Sequence, residues 1–396
     1  MSAVRSAVIV DVVRTPSGRG KPGGALSGVH PVDLAADVLR SILQRNGLES
    51  AQVDDVLLGC VSQVGDQSTN IARHAVLAAG FDEAVPATTI DRQCGSSQQA
   101  AHFAAQGVMA GVYDIVIAGG VESMSRVPLG MSASVGGSQM SPALRERYPQ
   151  GLVNQGVSAE LIARRWNLSR TDLDEYAARS HARAADAAAR GSFDSQLLPT
   201  RTPDGLRIAD ETVRASTTVD GLAGLNASFR TDELAARFPE LEWNITPGNS
   251  SPLTDGASAA LIMSEERAIE LGLRPRARFA SFVVVGDDPL LMLTGPIPAT
   301  RRILERSGLS IDDLDAYEVN EAFASVPLAW QQELAGDPDK LNPWGGAIAL
   351  GHALGASGTR LLGTMLAYLE STGGRYGLQT MCEGGGMANA TIIERL

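Results

Sequence analysis

Cys94 lies in Asp91-Arg92-Gln93-Cys94-Gly95-Ser96-Ser97-Gln98-Gln99-Ala100, where a strand end meets a helix start. A thiol at a helix N-terminus has its thiolate favoured by unpaired N–H groups and the helix dipole. A free thiol ionises near pH ~8.5, and lowering that by about two units takes roughly 2.7 kcal/mol. A dipole alone supplies about 1 kcal/mol, so a nucleophilic Cys94 needs a base beside it; the alternative is an inert buried cysteine. His352, in Gly351-His352-Ala353-Leu354-Gly355-Ala356-Ser357-Gly358, is the candidate base, because small residues leave its imidazole reachable. The other histidines, His30, His74, His102 and His181, lack such a setting and read as packing or surface residues. Cys382 opens Cys382-Glu383-Gly384-Gly385-Gly386-Met387, whose glycines either form a tight turn or free backbone N–H groups to stabilise an oxyanion. Asn320-Glu321-Ala322-Phe323-Ala324 adds polar groups just past a strand.

These residues need a frame to bring them together. Val- and Ile-rich segments alternate with Ala/Leu helices: strand 8–13, helix 32–46, strand 53–60, then helix 96–110 and strand 113–118. That alternation predicts an α/β fold. The chain also repeats itself. Arg40-Ser-Ile-Leu-Gln-Arg-Asn-Gly-Leu48 matches Arg301-Arg-Ile-Leu-Glu-Arg-Ser-Gly-Leu309, each a helix closed by glycine and followed by an Asp-bearing lead into a strand. Farther on, Tyr113-Asp-Ile-Val-Ile-Ala-Gly-Gly and Tyr376-Gly-Leu-Gln-Thr-Met-Cys-Glu-Gly both run from a Tyr-led strand into a glycine turn. The expected architecture is a duplicated α/β fold with its site between the halves. Residues 122–243, rich in Arg, Ser, Asp and Ala, read as a loop domain inserted into the first half. The expected division is 1–121, the insertion 122–243, a return over 244–272, and a second half over 273–396.

Composition narrows the chemistry. The chain has 396 residues, enough for two domains or one large duplicated one, and 44% hydrophobic content, which suits a globular protein. A net charge of −12 argues against a nucleic-acid surface, although a few local arginines can still hold a phosphate. Cys60, Cys94 and Cys382 are too few and too scattered for a disulfide framework, which points to a reducing compartment. No signal-peptide pattern or membrane-length apolar run stands out, so a cytoplasmic protein is expected.

The four clusters, taken in order, resemble the active-site motifs of the thiolase family. The likeness extends through Arg14-Thr-Pro, Gln63-Val-Gly-Asp-Gln-Ser-Thr-Asn70, Gly119-Gly-Val-Glu-Ser-Met-Ser125 and Gly248-Asn-Ser-Ser-Pro-Leu-Thr-Asp-Gly-Ala257, and so covers nearly the whole chain. The resemblance implies the thiolase fold, two βαβαβαββ halves in an αβαβα arrangement with an inserted loop domain. It implies an acyltransferase that works by ping-pong chemistry, more in the degradative than in the biosynthetic, acetoacetyl-CoA-forming direction. Cys94 would be the nucleophile, His352 its base, and Cys382 the second acid/base. Asn320 would hold a water, and Gly384 would offer an N–H to an oxyanion. Contacts to coenzyme A, a substrate rather than a cofactor, would come from Arg214, Phe229, Ser251 and Phe323. No metal is implied, and the family likeness suggests a homodimer or homotetramer.

Three departures from the family pattern stand out. Ala353 replaces a usual proline, and Glu383 occupies a place that is usually small or apolar. Asn154-Gln155-Gly156 replaces a Met-Gly pair at the acyl pocket, which puts short-chain acetoacetyl-CoA specificity in question. Residues 231–244 also look inserted. A ketoacyl synthase of the same fold is disfavoured by Cys382, and a non-catalytic acyl-CoA- or lipid-binding relative by the intact Cys94, His352 and Cys382.

Overall fold

The computed structural model describes residues 5–134 and 136–396. Its frame is a ten-stranded sheet. In chain order the strands are β1 (Ala7–Arg14), β2 (Gly18–Arg19), β3 (Asp55–Gly59), β4 (Ala87–Ile90) and β5 (Ile115–Ser123). After a long excursion come β6 (Thr254–Ser264), β7 (Ala277–Gly286), β8 (Ala316–Val319), β9 (Tyr376–Glu383) and β10 (Met387–Arg395). Every residue of β1, β5 and β6 is buried. Such runs, Val/Ile-rich in β1 and continuing without polar alternation, suit strands covered on both faces by helices.

Strand order exposes the duplication that the sequence repeat suggested. The first half runs β4-β3-β5-β6-β1 and the second β8-β9-β10-β7. In the first, β3 pairs parallel with β4 and β5, whereas β5·β6 and β6·β1 are antiparallel. In the second, β8 pairs parallel with β9, and β9·β10 and β10·β7 are antiparallel. Where β4 would recur, a single parallel bridge joins Tyr317 to Leu341. Within the sheet the halves pair through Val8↔Arg278 and Ile9↔Ala277 of β1 and β7. The repeated segments are the ends of helices Pro31–Asn46 and Pro296–Ser307, each closed by a left-handed glycine, Gly47 and Gly308.

Apolar clusters record the layers. Helices Pro31–Asn46 and Ile71–Ala78 cover the outside of the first half. Helices Ser96–Met109 and Ser357–Thr372 fill the middle through Ala100, Ala104, Leu362 and Met365, touching strands of both halves. Helices Pro296–Ser307 and Ser325–Leu334 cover the outside of the second half. The result is the α/β layering expected from the family resemblance.

Between Ser123 and Thr254 the chain leaves the first half's strands and builds helices Gln155–Arg165 and Arg170–Ala189 with a small hairpin, Thr200–Thr202 and Gly205–Arg207. This excursion packs on the opposite half. Ala159, Ile162, Leu173 and Tyr176 share a core with Tyr317, Val319 and Trp330. Residues 231–244 contribute helix Asp232–Arg237 and a buried cluster of Phe238, Leu241 and Trp243.

Candidate active site

The Cys94 turn follows β4. Gln93 carries φ 49°, a left-handed conformation that costs a non-glycine residue on the order of 1 kcal/mol. Local hydrogen bonds hold the turn: Asp91 Oδ1 accepts from the Gln93 N–H at 2.7 Å, and Ser96 Oγ accepts from the Arg92 N–H at 2.9 Å. Gly95 is the N-cap of helix Ser96–Met109, so Cys94 sits one residue before it. Sequence reasoning passed over Gln93, because backbone sign is invisible in a residue name.

The helix start does not win at this thiol. Cys94 is buried, and burial pushes its pKa well above the ordinary thiol value, with the nearby Cys382 and Glu383 adding to the rise. The Cys94 backbone N–H and the Gln155 amide pull the other way and lose. Desolvation of the charged form exceeds the turn's few partial charges, so Cys94 needs the base beside it to ionise.

His352 reaches the site on a loop pinned at each end of the residue. Gly351, with φ 84°, faces Thr254 so closely that a Cβ would lie 2.8 Å from the threonine side chain. The Thr254 hydroxyl then accepts from the His352 backbone N–H at 2.8 Å. On the ring, Nδ1 lies 2.6 Å from Ser357 Oγ, which itself donates to Ala353 O at 2.8 Å. With its proton committed there, Ser357 Oγ accepts, so the network assigns the proton of His352 to Nδ1. Nε2 then carries the lone pair, which faces the Asn320 amide. Burial, and then the charge of Arg360, lowers the imidazole pKa to about 3, so the resting group is a neutral base.

Asn320 follows β8 and links the base to the second thiol. Its Nδ2 is 3.4 Å from His352 Nε2 and 3.9 Å from Cys382 Sγ, and its Oδ1 is buried without a partner. Cys382 is fully buried near the end of β9, and desolvation pushes it up to about 12 against the pull of Asn320. Gly384 follows, with Gln93 Oε1 and Gln155 Nε2 at 2.9 and 3.2 Å from where a side chain would begin. Turn, loop and strand end thus converge on one place, contributed by both halves.

The expected coenzyme A contacts divide. Phe229 and Phe323 meet edge to face at 5.9 Å, with Gly156 pressed against the Phe229 ring. Ser251 joins the Asn320 segment through its N–H to Ala322 O at 3.0 Å. Arg214 stands apart on the surface of the excursion, where its backbone N–H donates to His181 Nδ1 at 3.2 Å. Among the described residues its guanidinium makes no hydrogen bond or ion pair.

Two buried carboxylates that the sequence reading quoted inside motifs but gave no task turn out to be anchors. Glu122 accepts from the N–H groups of Val61, Ser62 and Gly355 and from Gln67, at 2.7–3.1 Å. It thereby fixes the His352 loop to the first half. Glu321 accepts from Tyr176, Ser180, Asn342 and the Ile348 N–H at 2.7–3.0 Å, which fixes the excursion to the second half. Their placement beside glycines and catalytic-type residues was the available signal. Among the described residues no group of His, Cys, Asp or Glu side chains forms a metal-ligand set.

Comparison with known proteins gives the family. The thiolase N-terminal domain family matches residues 7–266, and the thiolase C-terminal domain family residues 273–395. A steroid 3-ketoacyl-CoA thiolase of Mycobacterium tuberculosis is 47% identical over 100% of this chain and 95% of its own. A 3-ketoacyl-CoA thiolase of Serratia proteamaculans is 43% identical over 99% of this chain and 100% of its own. The crystal structure of the Bacillus anthracis acetyl-CoA acetyltransferase superposes with TM-score 0.89 at 38% identity, covering both chains completely. With both halves matched along their length, and the four clusters folded onto one site, the chain belongs to the thiolase family.

Proposed function

We propose that the chain cleaves 3-ketoacyl-CoA with coenzyme A, giving acetyl-CoA and a shortened acyl-CoA through an acyl-enzyme on Cys94. The observation that carries this reading is the Asn320 amide set between His352 Nε2 and Cys382 Sγ. It puts a neutral base and a second thiol in one dry cluster. His352 Nε2 takes the Cys94 proton as sulfur attacks the 3-keto carbon. The C2–C3 bond breaks, the electron pair leaves as the acetyl-CoA enolate, and Cys382 gives it a proton. Incoming CoA loses its thiol proton to the Cys382 thiolate, and its sulfur takes the acyl group from Cys94. The freed Cys94 thiolate recovers the proton held on His352. A high resting pKa suits Cys382, because a thiol that holds its proton until an enolate forms is the acid this step needs. The water expected on Asn320 would meet one oxyanion, and the N–H groups of Cys94 and Gly384 the other.

Coenzyme A serves as substrate, and no cofactor enters the scheme. Its binding is assigned to Ser251, Phe323 and Phe229 at the channel wall and to the free guanidinium of Arg214 for phosphate. Gln155, close to both Gly384 and the Cys94 sulfur, favours acyl groups larger or more polar than acetoacetyl. The Mycobacterium relative's name supports testing steroid-derived substrates first. A homodimer, alone or paired into a tetramer, is proposed through β4, whose outer edge lies at the end of the sheet. The three free cysteines support a reducing, cytoplasmic setting, and no helix among the described residues is long and apolar enough to cross a membrane.

The test is a panel of short, long and steroid-derived 3-ketoacyl-CoAs incubated with CoA. Loss of the ketoacyl-CoA enolate absorbance with formation of acetyl-CoA is the expected result. Absence of turnover on every member would overturn the assignment. Faster condensation of acetyl-CoA than thiolysis of any ketoacyl-CoA would favour the biosynthetic direction suggested by the name of the Bacillus acetyl-CoA acetyltransferase.

A further inference from the structure

The residue after Cys382 takes no part in that scheme, and its surroundings ask for an explanation. Glu122 and Glu321 are buried carboxylates with every oxygen satisfied. Glu383 is fully buried too, yet neither of its oxygens has a hydrogen-bond partner. Glu318 shares that lack, but the charges acting on it are Arg360, which lowers its pKa, and Glu321, which raises it.

Glu383 runs beneath the turn that presents Cys94. A Cβ on Gly95 would fall onto Glu383 Oε1 and would lie 2.8 and 2.9 Å from Nδ2 and Oδ1 of Asn389. Only glycine after Cys94 leaves this room. Asn389 Nδ2 is spent on Gly95 O at 3.1 Å, while Asn389 Oδ1 is buried with no donor. Three acceptor oxygens therefore gather around Gly95 with no side-chain donor among them. An ionised Glu383 cannot supply one, whereas a protonated carboxyl brings an O–H and removes a buried charge.

The charged groups facing Glu383 are Arg92 and Asp91, both from the Cys94 turn; from β10 it meets the neutral Asn389. Burial raises its pKa to about 8, Arg92 and the Asn389 backbone N–H lower it, and Asp91 raises it. Its charge, once formed, raises both thiols.

We propose that Glu383 is a positioning residue that sets the alkaline limit of this enzyme. Protonated behind Gly95, it leaves Cys94 able to ionise when base and substrate call for it; on losing its proton it opposes charge on both sulfurs. The inference rests on the assignment of Cys94 as nucleophile and adds a titrating group that this assignment does not need.

The test is the second-order rate of iodoacetamide alkylation from pH 6 to 10, with the adduct mapped by mass spectrometry, alongside the pH profile of thiolysis kcat/KM. The proteins are wild type, Glu383→Gln, Glu383→Val and Glu318→Gln. In the wild type the logarithm of the Cys94 rate should bend over near pH 8. Both Glu383 variants should climb without the bend and react about tenfold faster at pH 9.5. Their alkaline limb of kcat/KM should move upward, and Glu318→Gln should keep the wild-type bend. A wild-type rate that rises straight through pH 8 overturns the inference without any variant. So do Glu383 variants that keep the bend, or that are slowed equally at every pH, which would reduce the residue to packing. An adduct on another cysteine removes the nucleophile assignment itself and the inference with it.

Discussion

The two halves of the molecule share a strand order and spend it differently. In the first, β5 ends at Ser123 and its antiparallel partner β6 begins only at Thr254; in the second, β9 and β10 are joined by Gly384, Gly385 and Gly386. The long excursion does not stay with its own half. It crosses over to share a core with Tyr317 and Val319, and Glu321 binds it there. The short turn keeps the second half's strand end tight, with Cys382 buried and Gly384 facing Gln93. One half thus lends a nucleophile and a cover, and the other lends base, amide and second thiol. Duplication supplied two equivalent frames, and unequal loops made them complementary.

The sharpest way to break this division is at its two sulfurs. Cys94→Ser should lower thiolysis by at least ~10⁴-fold and abolish the acyl adduct seen by mass spectrometry. A persisting adduct on Cys382 would move the nucleophile to the second half. Cys382→Ser should cost about 10³-fold in turnover while still allowing slow acylation of Cys94. Its specific mark is loss of exchange of the acetyl-CoA methyl protons with D2O, followed by NMR. If exchange survives there and vanishes in Cys94→Ser, the two roles are reversed. His352→Asn should lie close to these, about 10²- to 10⁴-fold down, because Asn keeps a polar group near Ser357 Oγ but offers no basic nitrogen.

How much of this was legible beforehand differs between the halves. Cys94, His352, Asn320 and Cys382 were readable because each stands in a short, chemically distinctive string. The repeat was readable because the helix ends at Gly47 and Gly308 need the same cap. Three things were not. The left-handed Gln93 leaves no trace in residue type. The raised Cys94 pKa depends on how much water the fold excludes, which no local spacing reports. The anchors Glu122 and Glu321 act through partners scattered over the chain, from Val61 to Gly355 and from Tyr176 to Ile348. Long-range hydrogen bonds of this kind exist only after folding.

The anchors test the packing side of the comparison. Glu321→Ala leaves Tyr176, Ser180, Asn342 and the Ile348 N–H without their acceptor. A loss of about 3 kcal/mol is expected from such unpaired buried groups, read as a lower urea midpoint. Limited proteolysis should cut first between helix Arg170–Ala189 and β6. Early cuts in the first half instead would mean that the excursion is held without Glu321, by its apolar contacts and by Asp210 and Glu211, which pair with Arg14 and Arg19 of the first half.

The smallest effect compares two histidines that burial treats alike. His102, on the first half's central helix, and His352 are both pushed down to about 3 by desolvation, with Arg92 and Arg360 respectively adding to the fall. Each is neutral in the folded protein and would take a proton near pH ~6.5 when unfolded. A folded pKa below the unfolded one means that stability is complete above pH ~6.5 and is lost as pH falls from there toward 3, by about 1.4 kcal/mol per pH unit for each histidine. His102 Nε2 is occupied by Thr391 Oγ1 at 2.7 Å, whereas His352 Nε2 faces Asn320 and the thiols. His102→Gln should therefore shed one histidine's share of the acid slope, measured as urea midpoints between pH 4.5 and 7.5, and leave thiolysis at pH 8 within about twofold of wild type. His352→Asn should shed a similar share and lose the chemistry as well. If His102→Gln kept the full acid slope, its ring would be taking up a proton inside the folded helix layer, and burial alone would no longer account for the neutral state of either histidine.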